Sequence, residues 1–459
     1  MSTVCAIATP AAVGGISVIR ISGEKAHEVA DKVFRPVSGR LPSELEGYRA
    51  AYGKIYDGGE RLDDGVILMF RSPHSYTGED VAEISCHGGI YVTRRVLTAC
   101  IKAGAEPAAA GEFTKRALLN GKMSLTQAEA VADIISAQGG QLLAASNNQR
   151  EGALYRRAES AAEKITEISA YISAWIDYPD DDTPTVTEEW LAKKLTSVKS
   201  ELDALLAGYD RGRLIREGIS CAIVGKPNVG KSTLMNLLAG EQRSIVSDIE
   251  GTTRDVVEET INLGGTVLRL ADCAGIREAS DEVEKIGVEI MLKRLERADL
   301  VLAVFDASRP LSEEDFSLLD RLDRLKHAEK KEIVAIINKC DLDEKLDRRE
   351  LENRLGNTVD ISAKNSSAAD VLSREINSRF GLNELDTNAG YLANERQRSC
   401  ITRAARAVNE ALDGVLAGVT PDAIGVMLEQ ALDAVYELSG RRASDEVIDQ
   451  VFKRFCVGK

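Results

Sequence analysis

The sequence predicts three architectures in one chain: an α+β N-terminal domain, a helical-bundle domain, and an α/β domain inserted within the helical one. Three observations predict this. Short alternating strands dominate the first ~118 residues. From about Lys115 the apolar residues recur at helical spacing, and that pattern resumes near the chain's end. Between the two helical stretches lie apolar runs that each end in a loop carrying polar chemistry, as a parallel sheet requires. The domains expected are 1–118, 119–215 with 381–459 as one helical domain in two parts, and 216–380 as the insertion.

In chain order, Ile16-Ser17-Val18-Ile19-Arg20-Ile21 alternates like a half-buried strand. Val66–Phe70 and Ala82–Cys86 read as two more strands, Ser72–Gly78 as the loop between them, and Val92 to Ala103 as a helix. His87-Gly88-Gly89 falls at a strand end, where a lone histidine reads as structural before it reads as a ligand. Leu125, Ala128, Val131, Ala132 and Ile135 share one helix face, and Ile165, Ile168, Ile172, Trp175 and Ile176 share another. Pro179–Pro184 breaks the pattern with a solvated acidic loop, and Leu191, Leu195, Val198, Leu202 and Leu205 resume it. Glu395–Leu416, Pro421–Leu438 and Ser444–Phe455 complete the helical domain. These stripes read as core, not as cofactor-binding faces.

Composition sets bounds. The chain has 459 residues, 44% hydrophobic and 29% charged, as in a globular protein with ample cores. No apolar run approaches the ~20 residues that cross a bilayer, so no membrane association is expected. Met1–Cys5 has neither a basic region nor a long apolar core, so no signal peptide is expected. Eight scattered cysteines without a C-x-x-C pair suggest neither a zinc site nor a disulfide framework, and a reducing cytoplasmic location fits. A net charge of −15 argues against broad nonspecific nucleic-acid binding, leaving room for RNA held by a local basic patch or with a partner's help.

The chemistry concentrates in the insertion. Gly225-Lys226-Pro227-Asn228-Val229-Gly230-Lys231-Ser232-Thr233 follows the apolar Cys221–Val224 and precedes Leu234–Leu238. Strand, glycine-rich loop and helix in that order make a phosphate-binding P-loop, with inward N–H groups and the positive end of a helix. Lys231 would reach the β- and γ-phosphates, and the Ser232 hydroxyl would ligate Mg²⁺. Asp272-Cys273-Ala274-Gly275 ends the run Val267–Ala271 and fits a Mg²⁺-linked aspartate followed by a glycine that senses the γ-phosphate. Asn338-Lys339-Cys340-Asp341 follows Ile333–Ile337; the Asp341 carboxylate can accept from guanine N1–H and the 2-amino group, which adenine does not offer. Ser362-Ala363-Lys364 would close over the base. Four motifs in this order indicate a Ras-like GTPase domain. The first switch reads as Val246–Asp255, where Thr253 would complete the Mg²⁺ shell and the Asn228 amide can ligate a monovalent cation. Ile276 stands where a Ras-type enzyme carries its water-orienting glutamine, so either hydrolysis is slow or another group does that work. The acidic second switch, with Glu278, Asp281, Glu282 and Glu284, offers carboxylates for it.

The whole chain resembles the MnmE, or TrmE, family of tRNA-modifying GTPases. The resemblance is carried by the P-loop, by Gly251-Thr252-Thr253-Arg254-Asp255 and by Gly275–Glu284. Outside the insertion it is carried by Tyr76-Thr77-Gly78-Glu79-Asp80 with His87-Gly88-Gly89, by Gly111-Glu112-Phe113-Thr114 with Gln127–Ala130, and above all by Phe455-Cys456-Val457-Gly458-Lys459. It implies a homodimer that works with the flavoprotein MnmG to add an aminomethyl-type group at C5 of the wobble uridine of certain tRNAs. The one-carbon unit would come from 5,10-methylene- or 5-formyl-tetrahydrofolate. By motif match, Arg20, Glu83, Lys122 and Lys459 would contact the folate. Asn228, Ser247, Ile249 and Thr252 would hold K⁺, Ser232 and Thr253 would hold Mg²⁺, and Glu284 would position water. Cys456 would serve the modification and not GTP hydrolysis. Asp248, Glu250 and Gly251 would line the nucleotide with the residues named above. Cys273 departs from the family's usual threonine. Two other readings are a ribosome-assembly GTPase of the same K⁺-dependent class and a non-catalytic nucleotide-binding scaffold.

Overall fold

The computed structural model describes residues 1–177, 187–240, 259–270, 295, 298–329, 331–382, 390–453 and 455–459. They form two compact units: Met1–Ala132 with Gln149–Leu202 and Ser399–Lys459, and Asp133–Asn148 with Asp203–Arg398.

The first unit contains a seven-stranded sheet. Its strands are β1 (Val4–Ile7), β2 (Ile16–Ser22), β3 (Phe34–Pro36), β4 (Arg49–Asp57), β5 (Glu60–Phe70), β6 (Val81–His87) and β7 (Glu106–Pro107), in the order β3-β4-β5-β6-β2-β1-β7. Its pairings are antiparallel except β1 with β7. The alternation of β2 turns Ile19 and Ile21 into a core with Ile67, Met69 and Ile84. The helices Ala26–Val33 and Ile90–Lys102 cover that face. Arg20 therefore points to the opposite face, directly across from Glu83 in the β2–β6 register.

The same unit holds the helical stretches. Leu191, Leu195, Val198 and Leu202 are buried, as are Ile165, Ile168 and Ile172. The helix Ala153–Asp177 packs on Pro421–Ser439, and Lys194 bonds Glu167 at 2.9 Å. The stripes run further than the burial does: Ile176 is exposed, as is Ile135, which belongs to the second unit. The helix Asp445–Phe452 is capped by the Ser444 side chain. Ile448, Phe452 and Phe455 pack with Leu125 and Ala128, which seats the residues that follow.

The second unit carries a six-stranded sheet of β8 (Ile219–Val224), β9 (Glu259–Leu263), β10 (Thr266–Leu270), β11 (Leu300–Asp306), β12 (Glu332–Asn338) and β13 (Thr358–Asp360), ordered β13-β12-β11-β8-β10-β9. All pairings are parallel except the β9–β10 hairpin. Two cores, one on each face, account for the unbroken apolar runs of β8, β11 and β12. The polar loops follow the C-terminal ends of these strands, where ligands bind in open α/β sheets.

Candidate functional sites

The P-loop leaves β8 at Gly225, whose φ of +148° and close approach to the Val304 carbonyl (2.4 Å from where a Cβ would lie) admit no side chain. Asn228 also takes a left-handed conformation, at φ +64°. The helix Lys231–Gly240 begins directly after Gly230, and its first turn presents backbone amides at the loop's concavity. Lys231 Nζ donates to the carbonyls of Gly225 (2.7 Å) and Lys226 (2.6 Å), which holds the ammonium across the mouth of the loop. Ser232 and Thr233 are exposed on the helix's first turn, and Val229 is buried beneath.

The Asn338–Asp341 and Ser362–Lys364 loops lock onto this one. Asn338, buried at the end of β12, donates from Nδ2 to the Val229 carbonyl (2.8 Å) and accepts at Oδ1 from the Ala363 amide (2.9 Å). Its amide thus braces two loops against each other and does not face outward. Lys339, at φ +65°, donates to the Asn228 carbonyl (2.8 Å) and to Asp306 Oδ2 (2.6 Å). The Cys340 amide donates to the Ile361 carbonyl (3.2 Å), which fixes the spacing of the two loops. Asp341 is exposed; a hydrogen bond with Ser362, aided by the charges of Lys364 and Lys339, holds its carboxyl below the usual range. An ionised acceptor beside exposed Lys364 matches the donor edge of guanine.

Asp306 has no place in the sequence-predicted set. Burial raises its carboxyl, but hydrogen bonds from Lys339 and Ser308 outweigh that and leave it lowered. Its signal was present: a carboxylate ends the buried strand β11 in register with Asn338. Of the other predicted residues, Ser247, Asp248, Ile249, Glu250, Gly251, Thr252, Thr253, Asp272, Cys273, Ala274, Gly275 and Glu284 lie outside the described residues. Asn228 represents the K⁺ set and Ser232 the Mg²⁺ set among those described.

In the first unit, Arg20 Nε donates to Glu83 Oε1 at 2.8 Å. The guanidinium lies 5.6 Å from the centre of the Tyr76 ring and 5.5 Å from that of Phe113. Lys459 joins this pair: burial and then the Arg20 charge lower its ammonium, with Glu83 opposing. The chain's last residues reach the site through backbone bonds, Gly111 N to Cys456 O (3.2 Å) and Phe113 N to Lys459 O (3.1 Å), and a bridge between Ala110 and Val457. Gly458, at φ +101°, passes so close to the Ile7 carbonyl that a Cβ would lie 2.2 Å from it. Cys456 is exposed. Lys122 is exposed and donates to the Pro73 carbonyl (2.9 Å), so it meets the loop that carries Tyr76 and not the Arg20–Glu83 pair itself.

Two of the quoted motifs of the first unit explain themselves here. Arg116, 3% exposed, donates to Glu79 and Glu112 and to the Ser2 carbonyl. Glu79 also accepts from Ser22 (2.7 Å), and Tyr76 shares a hydrogen bond with Thr114 (2.9 Å). Tyr76–Asp80 and Gly111–Thr114 are two halves of one buried polar brace that presents Tyr76 and Phe113 to Arg20.

The fold and loops of the second unit define a P-loop GTPase domain. Family models extend that to the whole chain: the MnmE helical domain matches residues 125–456 and the GTP-binding protein TrmE N-terminus matches residues 3–122. Proteins described as tRNA modification GTPase MnmE are 38% identical in Acetivibrio thermocellus, over 100% of this chain and 99% of that one. Those of Bacillus licheniformis and Bacillus subtilis are each 39% identical over 100% of both chains. The chain belongs to the MnmE family of tRNA modification GTPases. Among the described residues, no helix is long and apolar enough to cross a membrane.

Proposed function

We propose that this protein is a K⁺-activated GTPase, hydrolysing GTP to GDP and phosphate, that acts in the cytoplasm on tRNA. With MnmG it would install a carboxymethylaminomethyl or aminomethyl group at C5 of the wobble uridine, using 5,10-methylene- or 5-formyl-tetrahydrofolate. The observation that supports the nucleotide half is the Asn338 brace, which ties the P-loop to the Ser362–Lys364 loop, so that Asp341 and the P-loop would face one nucleotide. Lys231 and Ser232, with Thr253 and Asp272, would hold the triphosphate and Mg²⁺. Asn228, Ser247, Ile249 and Thr252 would hold K⁺, whose charge would stabilise the transition state as an arginine finger does. Glu284 would position water in place of the missing glutamine.

Support for the folate half comes from the Arg20–Glu83–Lys459 cluster under Tyr76 and Phe113. A carboxylate suits the amino groups of a pterin, and cations with Lys122 suit the glutamate end. Residues 1–118 would form this folate-binding and dimerising domain, 119–215 with 381–459 the helical one, and 216–380 the GTPase domain. The homodimer and its complex with MnmG belong to the same reading. The test is mass spectrometry of tRNA nucleosides from cells lacking the gene. A 5-aminomethyl-type uridine should vanish and return with the wild type, and Cys456→Ser should fail to restore it while keeping GTP turnover. An unchanged nucleoside profile, with no second enzyme covering the step, would overturn the assignment.

A further inference from the structure

Lys339 is anchored at both ends of a gap. Its Nζ sits between Asp306 Oδ2 at 2.6 Å and the Asn228 carbonyl at 2.8 Å. The lysine is partly exposed, while the Asp306 side chain is only 6% exposed. Asp306 is held in turn: its Oδ1 accepts from the Ser308 amide (3.0 Å) and hydroxyl (2.7 Å). With Nζ pinned, the four-carbon stem must span from the end of β12 to the P-loop. It lies one residue from Cys340 and two from Asp341, forming an apolar flank to the place where Asp341 would read a base. Lys339 adopts a left-handed backbone to do this, an uncommon choice for a residue other than glycine. The P-loop residue it grips, Asn228, is left-handed as well. Consecutive P-loop carbonyls, of Asn228 and Val229, thus accept from consecutive residues Lys339 and Asn338.

We propose that Asp306 is a positioning residue: by pinning Lys339 it joins the flank of the base site to Asn228, so that the base and the cation side of the phosphate loop are held by one unit. The inference rests on the nucleotide reading above. Asp306 touches neither base nor phosphate in this scheme and acts only through the lysine. Its negative charge matters because an ammonium offered only a neutral carbonyl and water would leave its stem free to change rotamer. A charge-assisted hydrogen bond at 2.6 Å removes that freedom.

The test is a double-mutant cycle on the full-length protein, with GDP affinity read by titration of fluorescently labelled GDP. Asp306→Asn should weaken GDP about 10-fold, the loss of one charge-assisted bond. Lys339→Ala should weaken it at least as much, and the double variant should bind no worse than Lys339→Ala alone. At saturating GTP, the K⁺ concentration for half-maximal turnover should rise in Asp306→Asn. Wild-type GDP affinity in Asp306→Asn, or losses that multiply in the double variant, would overturn the inference. An unchanged K⁺ response would overturn its link to Asn228. If Asp306→Asn does not fold, Ser308→Ala, which removes the hydroxyl steadying the carboxylate, must still weaken GDP by a smaller factor; full affinity there overturns the inference. A wild type that binds no guanine nucleotide would overturn the nucleotide reading and this inference together, whereas wild-type binding unaffected by Asp306→Asn overturns this inference alone.

Discussion

The nucleotide loops of the second unit and the tail cluster of the first are built on opposite plans. In the nucleotide loops, side chains chiefly grip backbone: Lys231, Lys339 and Asn338 all donate to P-loop carbonyls. Each loop follows a strand of one sheet, so the sheet alone brings them together. The tail cluster is the reverse. Arg20 and Glu83 are cross-strand neighbours, but the third member arrives from the far end of the chain, and the Arg20 contact with the Gly458 carbonyl (3.5 Å) spans 438 positions. The first plan fixes geometry through short motifs. The second makes the cluster depend on how well a terminal segment is seated.

That difference predicts where each site breaks. The largest effect is expected at Lys231. Lys231→Ala removes the cation meant for the β- and γ-phosphates and frees two loop carbonyls, so GTP turnover should fall about 10³-fold. Single-turnover kinetics in K⁺ would measure it, and a rate within a few-fold of wild type would contradict the loop's assignment. Asn338→Ala comes next. It breaks two buried bonds, each worth about 1–1.5 kcal/mol, so GDP affinity should fall roughly 30- to 100-fold. The loss should appear chiefly in KM and not in kcat if the brace only sets loop geometry.

Gly458→Ala tests the other plan. A side chain there must sit at φ +101° and against the Ile7 carbonyl, which displaces the tail. Folate affinity and wobble-uridine modification should each fall about 10-fold, the equivalent of roughly 1–2 kcal/mol of backbone cost. GTP turnover should stay at the wild-type rate, since the changed residue lies in the other unit. Loss of both activities together would mean that the two plans are not separable.

The same contrast governs what could be read from the sequence. P-loop, Asn338–Asp341 and Ser362–Lys364 were legible because strand–loop spacing alone dictates their chemistry. The roles inside them were less so: Asn338 faces inward as a brace, and Asp306, outside every motif, anchors Lys339. Part of each sheet was legible as apolar runs, but β1, β3, β4, β7, β9 and β11 were not picked out, although Leu300–Phe305 of β11 is an unbroken apolar run. β1 is four residues long and β4 alternates weakly, with Ala51 and Gly53 where larger apolar residues would mark the buried face. The tail cluster was invisible to periodicity or spacing, because nothing local joins Arg20 to Lys459. Only the resemblance to a family supplied it, and the structure adds the brace of Arg116 with Glu79 and Glu112 that no spacing rule indicates.

The smallest expected effects are those of pH, and they run in opposite directions at the two sites. Asp341 is held ionised chiefly by its hydrogen bond with Ser362. Its ability to accept from guanine is therefore retained through the ordinary carboxylate range and lost only as pH falls through its lowered value. Ser362→Ala removes the leading cause of that depression, so the acid limb of GDP binding should move to higher pH while affinity at neutral pH changes little. Lys459 has its ammonium lowered, first by burial and then by Arg20. Its charge is lost as pH rises, earlier than for an ordinary lysine, so folate binding should fail on the alkaline side. Glu83 opposes that shift. Glu83→Gln should move the alkaline limb of folate binding to lower pH, besides any loss of affinity from the missing carboxylate. Titrating both ligands against pH in one preparation separates the two plans: Ser362→Ala should shift only the acid limb for GDP, and Glu83→Gln only the alkaline limb for folate. A shift of the folate limb in Ser362→Ala would show that charge at the base loop reaches the tail cluster, and the independence of the two sites would then fail.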